Sequence, residues 1–240
     1  MIMLTIQHLA PKPERLGRVL KCPPLPPQST VDLPAIIEMF ETVPPQALAQ
    51  AWLEKEEDHF APGFVRAGWR GNSLLVFAQL IDRDIFNLAT GHNQRAWELG
   101  DSFEIFLQPA GHSAYVEFQI TPDNLRVQLR FADAQALDHL RNNRSIESVL
   151  MHGEMFHSRT WQTSAQCWYV YAEIKAVNLG DEAGPLHGRQ WLYSFSRYDY
   201  TRRREMPVIS STSPHAEPDF HRRQEWGIMN FDALMPVANR

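Results

Sequence analysis

The sequence predicts an all-β protein, an antiparallel β-sandwich that is jelly-roll-like in strand number, with short helical segments in an N-terminal lead-in and in one insertion. Three observations carry this reading. Apolar residues alternate with period 2 in eight or more short runs, turn-forming residues separate the runs at short intervals, and helical periodicity is confined to small stretches.

Residues 1–60 form the lead-in and 61–240 the sandwich body, one domain of a length common for such folds. Met3 to Leu9 reads as a possible first strand. Pro11, Pro13, Pro23, Pro24, Pro26 and Pro27 then favour extended chain outside any ladder, a strap along the body. Leu33 to Ile37 and Ala47 to Lys55 have helix-compatible composition, interrupted by Pro44-Pro45.

From Phe64 the period becomes 2. Phe64 to Arg70 and Ser73 to Ile81 read as a hairpin across Gly71-Asn72. The second strand is apolar on both faces and is expected to be central. Asp82-Arg83-Asp84 ends it, and Ile85 to Gln94 is a polar loop.

Trp97 to Phe131 reads as a three-strand meander around which the rest is organised. With Gln108 to Ser113 as the first turn, Ile105 faces Val116, Phe103 faces Phe118 and Glu104 faces Glu117. With Thr121-Pro-Asp-Asn124 as the second turn, Ile120 faces Leu125. One face is then apolar, and the other carries Glu104, Glu117, Gln119, Arg126 and Arg130. Facing like charges destabilise a bare sheet by ~0.2–1 kcal/mol, and an arginine on the third strand would offset this. Such a face is either a solvated exterior laced with ion pairs or a polar floor for a hydroxyl-rich ligand.

After the meander, Asp133 to Glu147 is polar and partly helical, an insertion. Strands resume at Met155 to Trp161, Gln166 to Lys175 and Gln190 to Tyr198, with Trp168 and Trp191 in the core. Gly180 to Gly188 reads as a loop. Thr201 to Arg223 has no usable period and reads as a long surface loop, and Glu225 to Phe231 closes the chain as a last strand.

The composition, 44% hydrophobic and 21% charged with net charge -5 over 240 residues, is that of a soluble globular protein. A negative balance without a basic run argues against a nucleic-acid partner. No apolar run reaches membrane-spanning length. Cys22 and Cys167 fit two reduced thiols rather than a disulfide framework. The apolar start is too short and wrongly flanked for a secretory leader, so the chain as given is expected to be cytoplasmic, or secreted or periplasmic if a leader has been trimmed.

No phosphate-binding glycine loop, nucleophile elbow, His-Glu-x-x-His or Cys-x-x-Cys is present. Glu104 and Glu117 are a conceivable glycosidase pair, but both approach a sugar from one side. His152 and His157, near Met151 and Met155, are alternatively haem or metal ligands or ordinary polar residues; a five-residue step on a strand puts them on opposite faces. Asp82 and Asp84 are calcium candidates or turn caps. Trp97 follows a polar loop just before the strand carrying Glu104, where an indole suits stacking on a sugar ring or plugging the sandwich end.

Asn72 to Asp82, Trp97 to Leu107 and Gln190 to Arg197 together resemble the family 9 carbohydrate-binding modules and their DOMON-like relatives, over roughly Phe64 to Phe231. The resemblance implies a non-catalytic sandwich that binds a mono- or oligosaccharide between aromatic walls. It assigns Trp97 to the first wall, Glu104 to the acidic hydroxyl ligand and Arg126 to the basic one. The segment Ser213 to His221 offers Phe220 and His221 in place of a second tryptophan wall. Structural calcium is implied as well. The alternatives are an interaction domain without a sugar ligand and a haem-binding relative.

Overall fold

The computed structural model describes residues 19–143, 145–163, 166–180 and 186–232. In chain order the elements are β1 (Val19–Cys22), α1 (Leu33–Met39), β2 (Gln46–Ala47), β3 (Gly63–Arg70), β4 (Ser73–Ile81), β5 (Ser102–Pro109), β6 (Tyr115–Ile120), β7 (Arg126–Phe131), α2 (Ala134–Asn143), β8 (Phe156–Thr163), β9 (Cys167–Lys175), β10 (Gln190–Asp199), β11 (Val208–Ser211) and β12 (Gly227–Phe231). They form two sheets. The larger runs β1-β12-β10-β5-β6-β7, with β11 also on β10, and the smaller runs β2-β3-β4-β9-β8.

The two sheets close on one apolar layer. Phe103, Ile105, Leu107, Val116, Phe118 and Ile120 from the meander meet Val76, Ala78, Trp168 and Val170 from the other sheet, with Trp191 and Phe195 beside them. These are the alternate residues that the period-2 pattern assigns to one face. The expected hairpin across Gly71-Asn72 pairs Arg70 with Ser73.

β4 is apolar on both faces because it lies between β3 and β9 and is covered twice. Its outward Leu75 and Phe77 are capped by Ile36, Met39 and Phe40. The helix that brings them starts where Asp32 accepts a hydrogen bond from the Ala35 N–H at 3.0 Å, with Pro34 in its first turn.

Several expectations change. Met3 to Leu9, with Pro11 and Pro13, lies outside the described residues, and so does most of the loop expected from Gly180 to Gly188. The strap is not free of ladders: Val19 to Cys22 pairs in parallel with Ile228 to Phe231 at the sheet edge, and Pro24 then bridges to Trp69 of β3. Ala47 to Lys55 is not helical but a two-residue strand followed by turns. The segment Thr201 to Arg223 is not a surface loop throughout: β11 joins β10, and Ser210 to Ser213 and His215 are buried. Among the described residues no helix is long and apolar enough to cross a membrane.

Candidate functional site

Turn chemistry decides which side chains share the outer face of the meander. Asn124 N–H donates to the Thr121 carbonyl at 2.9 Å, Asn124 takes φ 61°, and Thr121 N–H donates to Leu125 at 2.9 Å. This is a three-residue loop, a turn plus one left-handed residue. It therefore pairs Ile120 with Arg126, one step from the expected register. A one-residue slip exchanges faces. Val127, Leu129 and Phe131 join the outer face, while Arg126, Gln128 and Arg130 turn to the opposite side.

Arg126 binds Glu154 at 2.6 Å and the Phe156 carbonyl at 2.9 Å, at the sandwich rim. Arg130 is exposed on that same side. Neither belongs to the polar floor. The first turn is longer by two residues than expected, so Glu104 faces Gln119 and Glu117 faces Phe106. An even shift preserves faces. Glu104 and Glu117 are thus diagonal neighbours on one face rather than directly opposed.

That face is neither solvated nor flat. After β11 the chain folds back across it, placing Phe220 against Phe106 and Tyr198. Trp226 packs on Phe106 and donates its indole N–H to the Phe220 carbonyl at 2.8 Å. Glu225 locks the fold-back by accepting from Arg222 at 2.8 Å and the Ala216 N–H at 3.2 Å. From the other side α2 docks Leu137 and Leu140 on the same cluster.

A cleft of about 360 Å³ remains between these layers, and Trp97, Glu104, Glu117, Phe220 and His221 all line it. Five of the seven expected ligand residues therefore converge. Arg95, Tyr198, Arg141 and Asp219 line it too and were not singled out from the sequence. Tyr198 was readable in principle, since alternation along β10 turns it away from the inward Arg197. Arg141 and Asp219 carry no local signal, because a tertiary ion pair of 2.8 Å between insertion and fold-back brings them together.

Burial dominates the electrostatics. Glu104 is 2% exposed and Glu117 4%. Desolvation, and then the Glu117 charge, holds the Glu104 carboxyl well above the usual range. Desolvation pushes Glu117 up to about 7, although the Gln119 amide donates to it and Arg141 acts in the opposite direction. Among the described residues none donates a hydrogen bond to Glu104. His221 is pushed down to about 3 by burial and then by Arg141, so it is neutral. Its Nδ1 lies 2.8 Å from the Tyr115 hydroxyl and its Nε2 lies 3.5 Å from Glu117. The tautomer that accepts from Tyr115 and points N–H at Glu117 satisfies both contacts.

Trp97 sits at the cleft rim, half-buried, in a short helical turn. Tyr200 donates its hydroxyl to the Trp97 carbonyl at 2.8 Å, and the Arg95 guanidinium lies 4.6 Å from the indole centroid. Gly100 permits the turn from this loop into β5. It takes φ 146°, and a Cβ there would lie 2.5 Å from the Phe86 carbonyl oxygen. Phe220 and His221 reach the cleft from within an aromatic cluster, so they are fixed walls rather than free stacking faces.

The acidic residues at the end of β4 divide. Asp84 turns to Arg202, accepting its backbone N–H at 2.7 Å as well as a side-chain contact. Asp82 is buried with Asp101 and Asp199, and one oxygen of each lies within 4.8 Å of the others. The buried Arg197 guanidinium binds Asp82 at 2.9 Å and Asp199 at 3.3 Å and donates to the Ile81 carbonyl at 2.7 Å. His152 and His157 are both exposed, and His157 approaches Glu154 at 3.5 Å. His152, His157, Met151 and Met155 do not line the cleft.

No protein-family model and no curated protein matches the chain. Solved structures with the same fold include the following three. A candidate carbohydrate-binding protein from Bacteroides uniformis ATCC 8492 superimposes with a TM-score of 0.70 at 16% identity, over 90% of this chain and 100% of that one. A family 9 carbohydrate-binding module from Caldicellulosiruptor kristjanssonii in complex with cellotriose gives 0.62 at 12% identity, over 92% and 97%. A family 9 module from the same organism in complex with glucose gives 0.61 at 12%, over 92% and 100%.

Proposed function

We propose that this chain is a non-catalytic carbohydrate-binding protein whose cleft takes a monosaccharide or the end of an oligosaccharide. One observation carries the reading: a buried carboxyl to which no described residue donates a hydrogen bond, Glu104, faces a cleft rimmed by the half-buried Trp97. Such a carboxyl is costly to hold unless a ligand bonds to it. Sugar hydroxyls supply that bond, and Trp97 offers an apolar surface to the ring. The fold shared with modules crystallised with glucose and cellotriose supports the same reading. The two glutamates reach the cleft from one sheet face, whereas hydrolysis needs carboxyls flanking the scissile bond; this supports binding over turnover.

Calorimetry with glucose, cellobiose and cellotriose tests the proposal. Binding is expected, and Trp97→Ala is expected to weaken it at least tenfold with the melting temperature little changed. Absence of heat with every mono- and oligosaccharide tried would overturn it.

For the acidic cluster we propose neutralisation by Arg197 rather than by calcium. Calcium takes about six to eight oxygen ligands, yet both Asp82 oxygens and the Ile81 carbonyl already accept protein hydrogen bonds. The expectation of calcium on Asp82 and Asp84 meets the further difficulty that Asp84 is drawn to Arg202. A chelator is therefore expected to leave the melting temperature unchanged, and a rise on adding calcium would assign the cluster to the ion.

A further inference from the structure

We propose that the cleft selects an amino sugar, its ammonium group seated between Glu104 and Glu117. This rests on the carbohydrate reading above and narrows its ligand class. The floor of the cleft holds two carboxyls on adjacent strands, both almost fully buried, and nothing in the described structure neutralises Glu104.

The cations around the pair make their ion pairs elsewhere, although Arg141 lines the cleft and draws Glu117 down. Arg141 binds Asp219 at 2.8 Å, and Arg95 lies over Trp97 while contacting Glu98 at 2.7 Å. Arg223 lies over the Tyr115 ring and donates to the Ser113 carbonyl at 2.8 Å. Arg126 and Arg130 point to the other face of the sheet.

The remaining neighbours are neutral. On β10, Ser196 pairs opposite Glu104 and donates to Ser211 at 3.1 Å, and Tyr198 beside it keeps its proton. Besides Arg141, the lining residues on β7 and α2 are Leu129, Leu137 and Leu140. His221 is uncharged and Tyr115 is bonded to it.

A neutral hydroxyl can accept or donate here but leaves the buried pair uncompensated, so that both carboxyls cannot ionise together. An ammonium lies close to both charges at once and donates up to three hydrogen bonds, which the carboxyl oxygens can accept. The Trp97 and Phe220 surfaces, already next to the pair, add an apolar and cation-attracting border. Because the empty pair retains a proton that an ammonium displaces, binding releases protons.

Calorimetry at pH 7 with glucosamine, glucose and N-acetylglucosamine, in buffers of different ionisation enthalpy, tests this. Glucosamine is expected to bind at least tenfold more tightly than the other two and to release protons, and Glu104→Gln is expected to abolish that preference. Equal affinity for glucose and glucosamine would overturn the amine assignment while the carbohydrate reading stands. Preference persisting in both Glu104→Gln and Glu117→Gln would overturn the placement of the ammonium. Failure of all three sugars to bind, where cellobiose or cellotriose does bind, would overturn this inference alone; failure of the oligosaccharides as well would remove the carbohydrate reading with it.

Discussion

Arg197→Met is expected to destabilise the protein by about 3–5 kcal/mol, the loss typical when one partner of a buried ion pair is removed. Arg197 stands on the inner face of β10, and its guanidinium reaches Asp82 at the end of β4, so it ties one sheet to the other. Methionine replaces much of the volume but leaves Asp82, Asp101 and Asp199 with no guanidinium among them. Burial pushes Asp101 up to about 8, with Asp82 repulsion adding to it, and burial pushes Asp199 up to about 7 against the pull of Arg197. Losing the cation raises the cost of all three carboxyls. Urea unfolding followed by tryptophan fluorescence measures the change. A loss below about 1 kcal/mol, or one restored by calcium, would contradict a guanidinium-centred cluster.

This clamp also marks where sequence reading stops. An aspartate closing one strand and an arginine on a late strand are both visible in the sequence, and both belong to the motifs that resemble family 9 modules. Their pairing spans 115 residues, and no periodicity connects them. The inward layer is legible because alternation assigns it without reference to partners, which is why Phe103, Phe118, Trp168 and Trp191 fall where expected. The strands of the meander are equally legible. Their registers are not, because register depends on turn length, and Asn124 in a left-handed conformation moves two expected ligand residues to the other face. The cleft itself is a tertiary object. Its floor comes from the meander and its walls from α2 and the Thr212 to Trp226 fold-back; the first is legible as partly helical, whereas the second has no period to read.

Glu104→Gln is expected to flatten the dependence of stability on alkaline pH. Both cleft carboxyls hold their protons more tightly in the folded protein than in the unfolded chain, chiefly through burial. Stability is thus complete below the unfolded carboxyl range and is lost as pH rises towards and through the folded values, which for Glu117 is about 7. Each carboxyl still protonated in the fold contributes a slope of about 1.4 kcal/mol per pH unit. His215 and His221 act in the opposite direction, because burial lowers both, but only below the ordinary histidine value of 6.5. Between pH 6.5 and 8 their remaining titration is common to wild type and variant. Asp101 and Asp199 titrate in that window in wild type and variant alike, so the difference between the two proteins isolates the cleft. Over that window the variant is expected to lose less stability than the wild type. The glutamine also removes a charged acceptor, a change that costs about 1.5–3 kcal/mol of binding, or roughly ten- to hundredfold in affinity. Parallel stability curves for wild type and variant would mean that Glu104 is solvated and ionised like any surface carboxylate, and the cleft would then lose the group on which its ligand chemistry rests.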